Sequence, residues 1–190
     1  MRRSFKVGLF IFALTALICF VVCNPTVQRG VFYPFRHRVA VELYSKKYNV
    51  DKYLAIAVMK HESGFEPSAL SHSGAVGLMQ LMPETAEWIA WQIGEEDFFT
   101  ARLEEPELNI RYGIWYLAAL EREFDGNDVL ALAAYNAGRG NVHEWIKKNR
   151  WPVDFNDITA IPYSETRNYV TTVLKNRDKY KELYNDNNEN

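Results

Sequence analysis

Residues 105–124 place Ile110, Ile114, Leu117, Leu120 and Phe124 at intervals of three and four, a spacing that an α-helix turns into one continuous apolar stripe. A stripe of that length has to be covered by other elements, and the rest of the chain offers mainly helices. Residues 37–48 and 51–63 read as a helix pair, and Pro83 opens a segment that Gly94 stops. Residues 128–136 and 141–148 form shorter helices separated by Gly138-Arg139-Gly140, and a last helix over 163–184 follows Pro162. Outside 74–82 no alternating strand pattern of useful length occurs. The expected fold is therefore all-α, one compact helical domain with a small irregular or hairpin segment near 74–82.

The start of the chain points to export. Residues 7–23 contain no charge, and the short basic tail 1–6 holds Arg2, Arg3 and Lys6. Seventeen residues at 1.5 Å each reach about 26 Å, near the lower limit for a span. The segment reads as an uncleaved membrane anchor, with a cleaved signal peptide as the alternative. Cys23 hints at a lipid site, although Val22 stands where a small residue is expected. Residues 24–37 hold Pro25, Gly30 and Pro34 without a period and read as a linker; a domain over 38–184 and a polar tail over 185–190 follow. Both cysteines, Cys19 and Cys23, fall in the apolar run, so the domain has neither disulfides nor thiolate chemistry, as in a bacterial envelope protein.

Charge narrows the function further. With the three leading cations set aside, 19 basic residues face 24 acidic ones, which disfavours a nucleic-acid binder. His61-Glu62 and His143-Glu144 each fail a zinc helix motif, because Phe65 and Lys147 occupy the second histidine's place. With no phosphate-binding glycine loop and no serine elbow, neither metal nor cofactor is expected, and carboxylate chemistry is left.

Glu62 is the carboxyl to weigh. On a helix from Asp51, the side chains of Leu54, Ala57, Val58, His61 and Phe65 share one arc, and Glu62 lies on its flank about 40° from Val58. Gly64 ends that helix, so partial burial and the negative helix end both disfavour the charged form. That suits a general acid; an ordinary exposed glutamate at a helix end fits the same geometry. The stretch Ser71-His72-Ser73-Gly74-Ala75-Val76-Gly77-Leu78-Met79-Gln80 follows, small and glycine-rich, and lets backbone approach a ligand.

Together with Ala134-Tyr135-Asn136-Ala137-Gly138 and the run from Ile161 through Glu165-Thr166-Arg167-Asn168-Tyr169-Val170, these motifs resemble the catalytic domain of soluble-type lytic transglycosylases, glycoside hydrolase family 23. The resemblance covers about 38–184 and implies a lysozyme-like fold and a bacterial peptidoglycan substrate outside the cytoplasmic membrane. It implies Glu62 as sole acid/base, with Ser71, Gln80, Met82, Tyr135, Asn136, Glu165 and Tyr169 along the glycan. Met82 and Tyr169 also suit a core, Glu165 suits a helix start, and Arg167 reads as structural. His72 departs from the family's small residue or proline. The tryptophans are left outside the site. The expected reaction is non-hydrolytic cleavage between N-acetylmuramic acid and N-acetylglucosamine by a monomer, giving 1,6-anhydromuramyl ends. A water-using hydrolase with Glu165, Glu66 or Glu84 as second carboxylate, and a non-catalytic glycan-binding scaffold, are the alternatives.

Overall fold

The computed structural model describes residues 2–185, with side chains from residue 10 onward. The described residues contain α-helices and short helical turns but no strand. They divide into two compact units: Arg36–Asp178, and the segments 2–35 and 179–185.

Within Arg36–Asp178 the helices are α3 (Arg38–Tyr48), α4 (Lys52–Ser63), α5 (Pro83–Ile93), α6 (Pro106–Glu123), α7 (Asp128–Ala137), α8 (Arg139–Asn149) and most of α9 (Ser164–Tyr184). α6 is the central element, against which α3, α5 and α7 pack. Its expected stripe is fully covered, with Ile110, Ile114, Leu117 and Leu120 all at 0% exposure. α5 sets Ala86, Ile89 and Ala90 against Leu103, Leu108 and Tyr112.

Local chemistry fixes the ends. Asp51 caps α4 by accepting the Tyr53 N–H at 2.9 Å. Gly64 stops α4 in the left-handed region at φ 59°. Asn127 caps α7 through the Leu130 N–H at 3.0 Å and spends its amide on the Val153 and Phe155 carbonyls, each at 2.8 Å. α4 differs from its expected single arc. Tyr53 through Met59 are buried all round, as the unbroken apolar run dictates, while His61 is exposed.

The expected hairpin near 74–82 is a tight loop with isolated bridges, Leu70 to Val76 and Val76 to Leu81. The wholly buried Asn109 ties it down. Its Oδ1 accepts the Met79 N–H at 2.8 Å, and its Nδ2 donates to the Val76 carbonyl at 2.9 Å and the Leu103 carbonyl at 2.8 Å. Gly77 sits against that amide with φ 82°.

In the other unit, α1 (Arg2–Cys23) precedes a one-turn α2 (Pro25–Val27) and a π-helical turn over Gln28–Phe32. The expected linker over 24–37 is thus partly ordered. Asn24 caps α2 through the Thr26 and Val27 N–H groups. Arg29 donates to the Leu183 carbonyl at 2.7 Å and lies over the Tyr184 ring, while the Tyr180 hydroxyl donates to the Pro34 carbonyl at 3.0 Å. The last turns of α9 group with this segment. No single described helix is long and apolar enough to cross a membrane; Phe10–Cys23 and Pro25–Phe32, bent by 61°, meet the criterion only as a pair. The expected tail lies outside the described residues from 186 onward.

Gly77→Ala tests the loop anchor. A Cβ there would stand 2.2 Å from Asn109 Nδ2 and 2.5 Å from the Leu103 carbonyl oxygen. The expected loss is about 3 kcal/mol, read as a fall of roughly 6–12 °C in Tm by calorimetry.

Candidate active site

The last turn of α4 carries the site's central group. Ser63 fastens it to the glycine-rich loop: its hydroxyl donates to the Leu78 carbonyl at 2.8 Å and accepts the Phe65 N–H at 3.1 Å. One residue further along the loop, the Met79 carbonyl accepts the Tyr135 hydroxyl of α7 at 2.8 Å. Peptides 78 and 79 are thereby held from α4, α6 and α7 together. The Met79 side chain packs where a Cβ on Gly113 would stand, so that glycine leaves room for the loop.

Glu62 projects from this junction among two tyrosines. Burial pushes its carboxyl up to about 7, and the Tyr169 hydroxyl pulls the other way by favouring the charged form. Tyr169 is 2% exposed, and its hydroxyl makes no hydrogen bond of good geometry among the described residues, yet it lies close enough to Glu62 to act on it. Both phenols, Tyr135 and Tyr169, are held well above their ordinary range, first by burial and then by the Glu62 charge. They stay neutral while the glutamate titrates. Burial and the Tyr169 hydroxyl are the two influences that set the Glu62 carboxyl's shift. The exposed His61 ring meets Tyr169 edge-on at 4.8 Å.

The other expected site residues fall into two groups. Asn136 and Glu165 line a cavity of about 540 Å³ with Tyr163, Ser164 and Thr166; Glu62 is not part of its wall. There the buried Thr166 donates to Asn136 Oδ1 at 2.8 Å, orienting the amide. Ser71 and Gln80 instead serve their own loop. Ser71 Oγ accepts the Ala75 N–H at 2.9 Å, and the Gln80 amide donates to the Ala69 and Gly77 carbonyls at 3.0 and 2.9 Å. Met82 is half-exposed just before α5. Arg167 donates to the Ile161 and Pro162 carbonyls and braces the turn into α9. Glu66 is turned to Ser68, and Glu84 is exposed. Among the described residues no group of three or more His, Cys, Asp or Glu side chains is placed to hold a metal.

Asn109 was not singled out by the sequence, and Ser63 and Thr166, which stand in its motifs, were given no role there. The available signal for Asn109 was a polar residue four positions before Gly113 on an otherwise buried helix.

A family model described as the transglycosylase SLT domain matches residues 40–158. The chain belongs to that family. The chain is 35% identical over 144 residues to the soluble lytic murein transglycosylase of Salmonella typhimurium, a match covering 75% of this chain and 22% of that protein. It is also 35% identical over 164 residues to membrane-bound lytic murein transglycosylase C of Haemophilus ducreyi, covering 74% of this chain and 44% of that one. Among solved structures, an inactive Glu-to-Gln mutant of lytic transglycosylase Slt from Pseudomonas aeruginosa superposes with a TM-score of 0.76 at 33% identity, covering 97% of this chain and 30% of that one. The chain therefore spans about a fifth to under half the length of the curated relatives it matches. The SLT domain and the all-helical architecture agree with the family and fold expected from the motifs.

The raised Glu62 carboxyl carries a stability signature. Its folded value lies above the unfolded one, so the folded state is penalised where Glu62 must ionise. Glu62→Gln is expected to raise unfolding free energy by about 1–3 kcal/mol at pH 8, a gain that fades as pH falls toward about 4.5. Urea denaturation of both proteins across that range measures it.

Proposed function

We propose that the protein is a peptidoglycan lytic transglycosylase in which Glu62 is the single acid/base. The observation that carries this reading is a carboxyl whose charged form is disfavoured by burial, beside two neutral tyrosines. Neutral Glu62 donates its proton to the β-1,4 oxygen between N-acetylmuramic acid and N-acetylglucosamine, and that C–O bond breaks. The acetamido oxygen of the muramic residue stabilises the electron-poor anomeric carbon, taking the part a second carboxylate plays in most glycosidases. The ionised Glu62 then removes the proton of the muramic C6 hydroxyl, whose oxygen bonds to the anomeric carbon. The result is a 1,6-anhydro end and a reprotonated Glu62. The nucleophile belongs to the same sugar, with an effective concentration on the order of 10⁵ M, so water is not needed.

In this reading the Tyr169 hydroxyl stabilises the carboxylate between the two proton transfers. Tyr135, its proton committed to the Met79 carbonyl, forms a neutral wall of the site. Asn136 and Glu165 receive a neighbouring sugar in their cavity, while Ser71, Gln80 and Met82 shape the loop beneath the glycan. The related Slt is inactive as a Glu-to-Gln mutant, which supports a mechanism that hangs on one glutamate. α1 exposes Phe10, Phe12 and Phe20, so it is read as an anchor that holds the SLT domain on the outer side of a bacterial cytoplasmic membrane. The membrane-bound name of one relative supports that placement.

Four outcomes are expected. Glu62→Gln lowers turnover of purified peptidoglycan at least ~10³-fold while glycan binding in sedimentation assays persists. Wild-type digestion in ¹⁸O-labelled water leaves muropeptide ends unlabelled and one water lighter than hydrolysed ends by mass spectrometry; labelled reducing ends would establish a hydrolase. Because the proton must be on Glu62 at the outset, kcat/KM falls about tenfold per pH unit above about 7. Tyr169→Phe removes the influence favouring the charged form and moves this limb to higher pH.

A further inference from the structure

We propose that one face of α3 rests on an anionic phospholipid surface, a contact separate from the glycan site and additional to the anchor. The face is written in the helix. At 100° per residue, Val39, Leu43, Lys46 and Lys47 fall within about 100° of one another, and all four are exposed. Val39 is 82% exposed, the highest value among the large apolar side chains described, and Leu43 is 54% exposed. The helix has one acid, Glu42, which points to Arg38 at 3.0 Å and Lys52 at 3.2 Å. Lys47 lies over the neighbouring Tyr48 ring and keeps its charge at the surface. Two exposed apolar side chains bordered by cations, in a chain that is acidic overall, match an interface of lipid headgroups over acyl chains.

Such a face is too small to bind membrane from free solution. It rests on the anchor reading above, which supplies the missing term. α3 begins fifteen residues after Cys23, at most about 50 Å of extended chain, so the face is confined near the bilayer at a high effective concentration. A weak contact is then enough to fix which side of the SLT domain looks away from the membrane.

The test uses the full chain carrying Cys19→Ser and Cys23→Ser, with an environment-sensitive fluorophore at Val39→Cys and a control probe at Glu144→Cys on α8. In phosphatidylglycerol-containing vesicles the probe at 39 should shift to the blue and be quenched by a lipid-borne quencher. Both signals should reverse at high salt and in Lys46→Glu/Lys47→Glu, while the control stays in water. In phosphatidylcholine vesicles the probe at 39 should stay in water as well. Flotation with either vesicle, resistant to salt, reports the anchor independently. A floating chain whose probe at 39 remains in water on phosphatidylglycerol overturns the lipid contact and leaves the anchor standing. A chain that fails to float overturns both. Shielding of the probe in detergent that grows with protein concentration also overturns the lipid contact, assigning the face to a second copy of the chain.

Discussion

One buried amide holds the site in place. Asn109 has no access to water, and both ends of its side chain are spent on main-chain groups of the loop and of the turn before α6. The small residues at 73–75 and 77 have little side chain of their own to bury, so the order that the buried Leu78, Met79 and Leu81 begin must be completed from outside. Asn109 imposes it from α6, Ser63 from α4 and Tyr135 from α7. Remove the first, and three main-chain groups lose a hydrogen bond in a region closed to solvent, although the Val76 carbonyl keeps the Leu81 N–H.

That lattice explains why a carboxyl can sit half-desolvated at a helix end. Burial raises the cost of the charge, and a neighbouring phenol offsets part of it, leaving the group poised between its two forms. A second acidic neighbour would raise the cost further; a cation would remove the poise. Around Glu62 neither acts, and the environment is set by tyrosines whose own protons do not come off.

Much of this was legible in the residues. Prolines at 83 and 106, glycines at 64 and 94 and the spacing of Ile110 to Leu120 mark helix limits and a buried stripe, because capping and periodicity are local properties. The Gly64 stop likewise puts Glu62 on the last turn of its helix. What stayed hidden is contact between segments distant in sequence. Ser71 and Gln80 carry polar groups in a motif that faces a ligand by resemblance, yet their hydrogen bonds turn inward to the loop. Asn109, thirty residues from the peptide it holds, has no local mark beyond its polarity. The order in residues 25–35 was equally invisible, since its partners are tyrosines at the far end of the chain.

Those tyrosines bear on where the molecule can be shortened. Arg29, Tyr33 and Phe35 pack on Tyr180 and Tyr184, and the guanidinium of Arg29 closes on a carbonyl at the end of α9. Trimming the chain at Val31 would strip away that arginine and leave the final helical turn to fray, whereas a start at Asn24 keeps the capping side chain and the whole aromatic clasp. Proteolysis would follow the same rule: a cut ahead of Asn24 leaves the clasp whole, and one a few residues later leaves a loosened end.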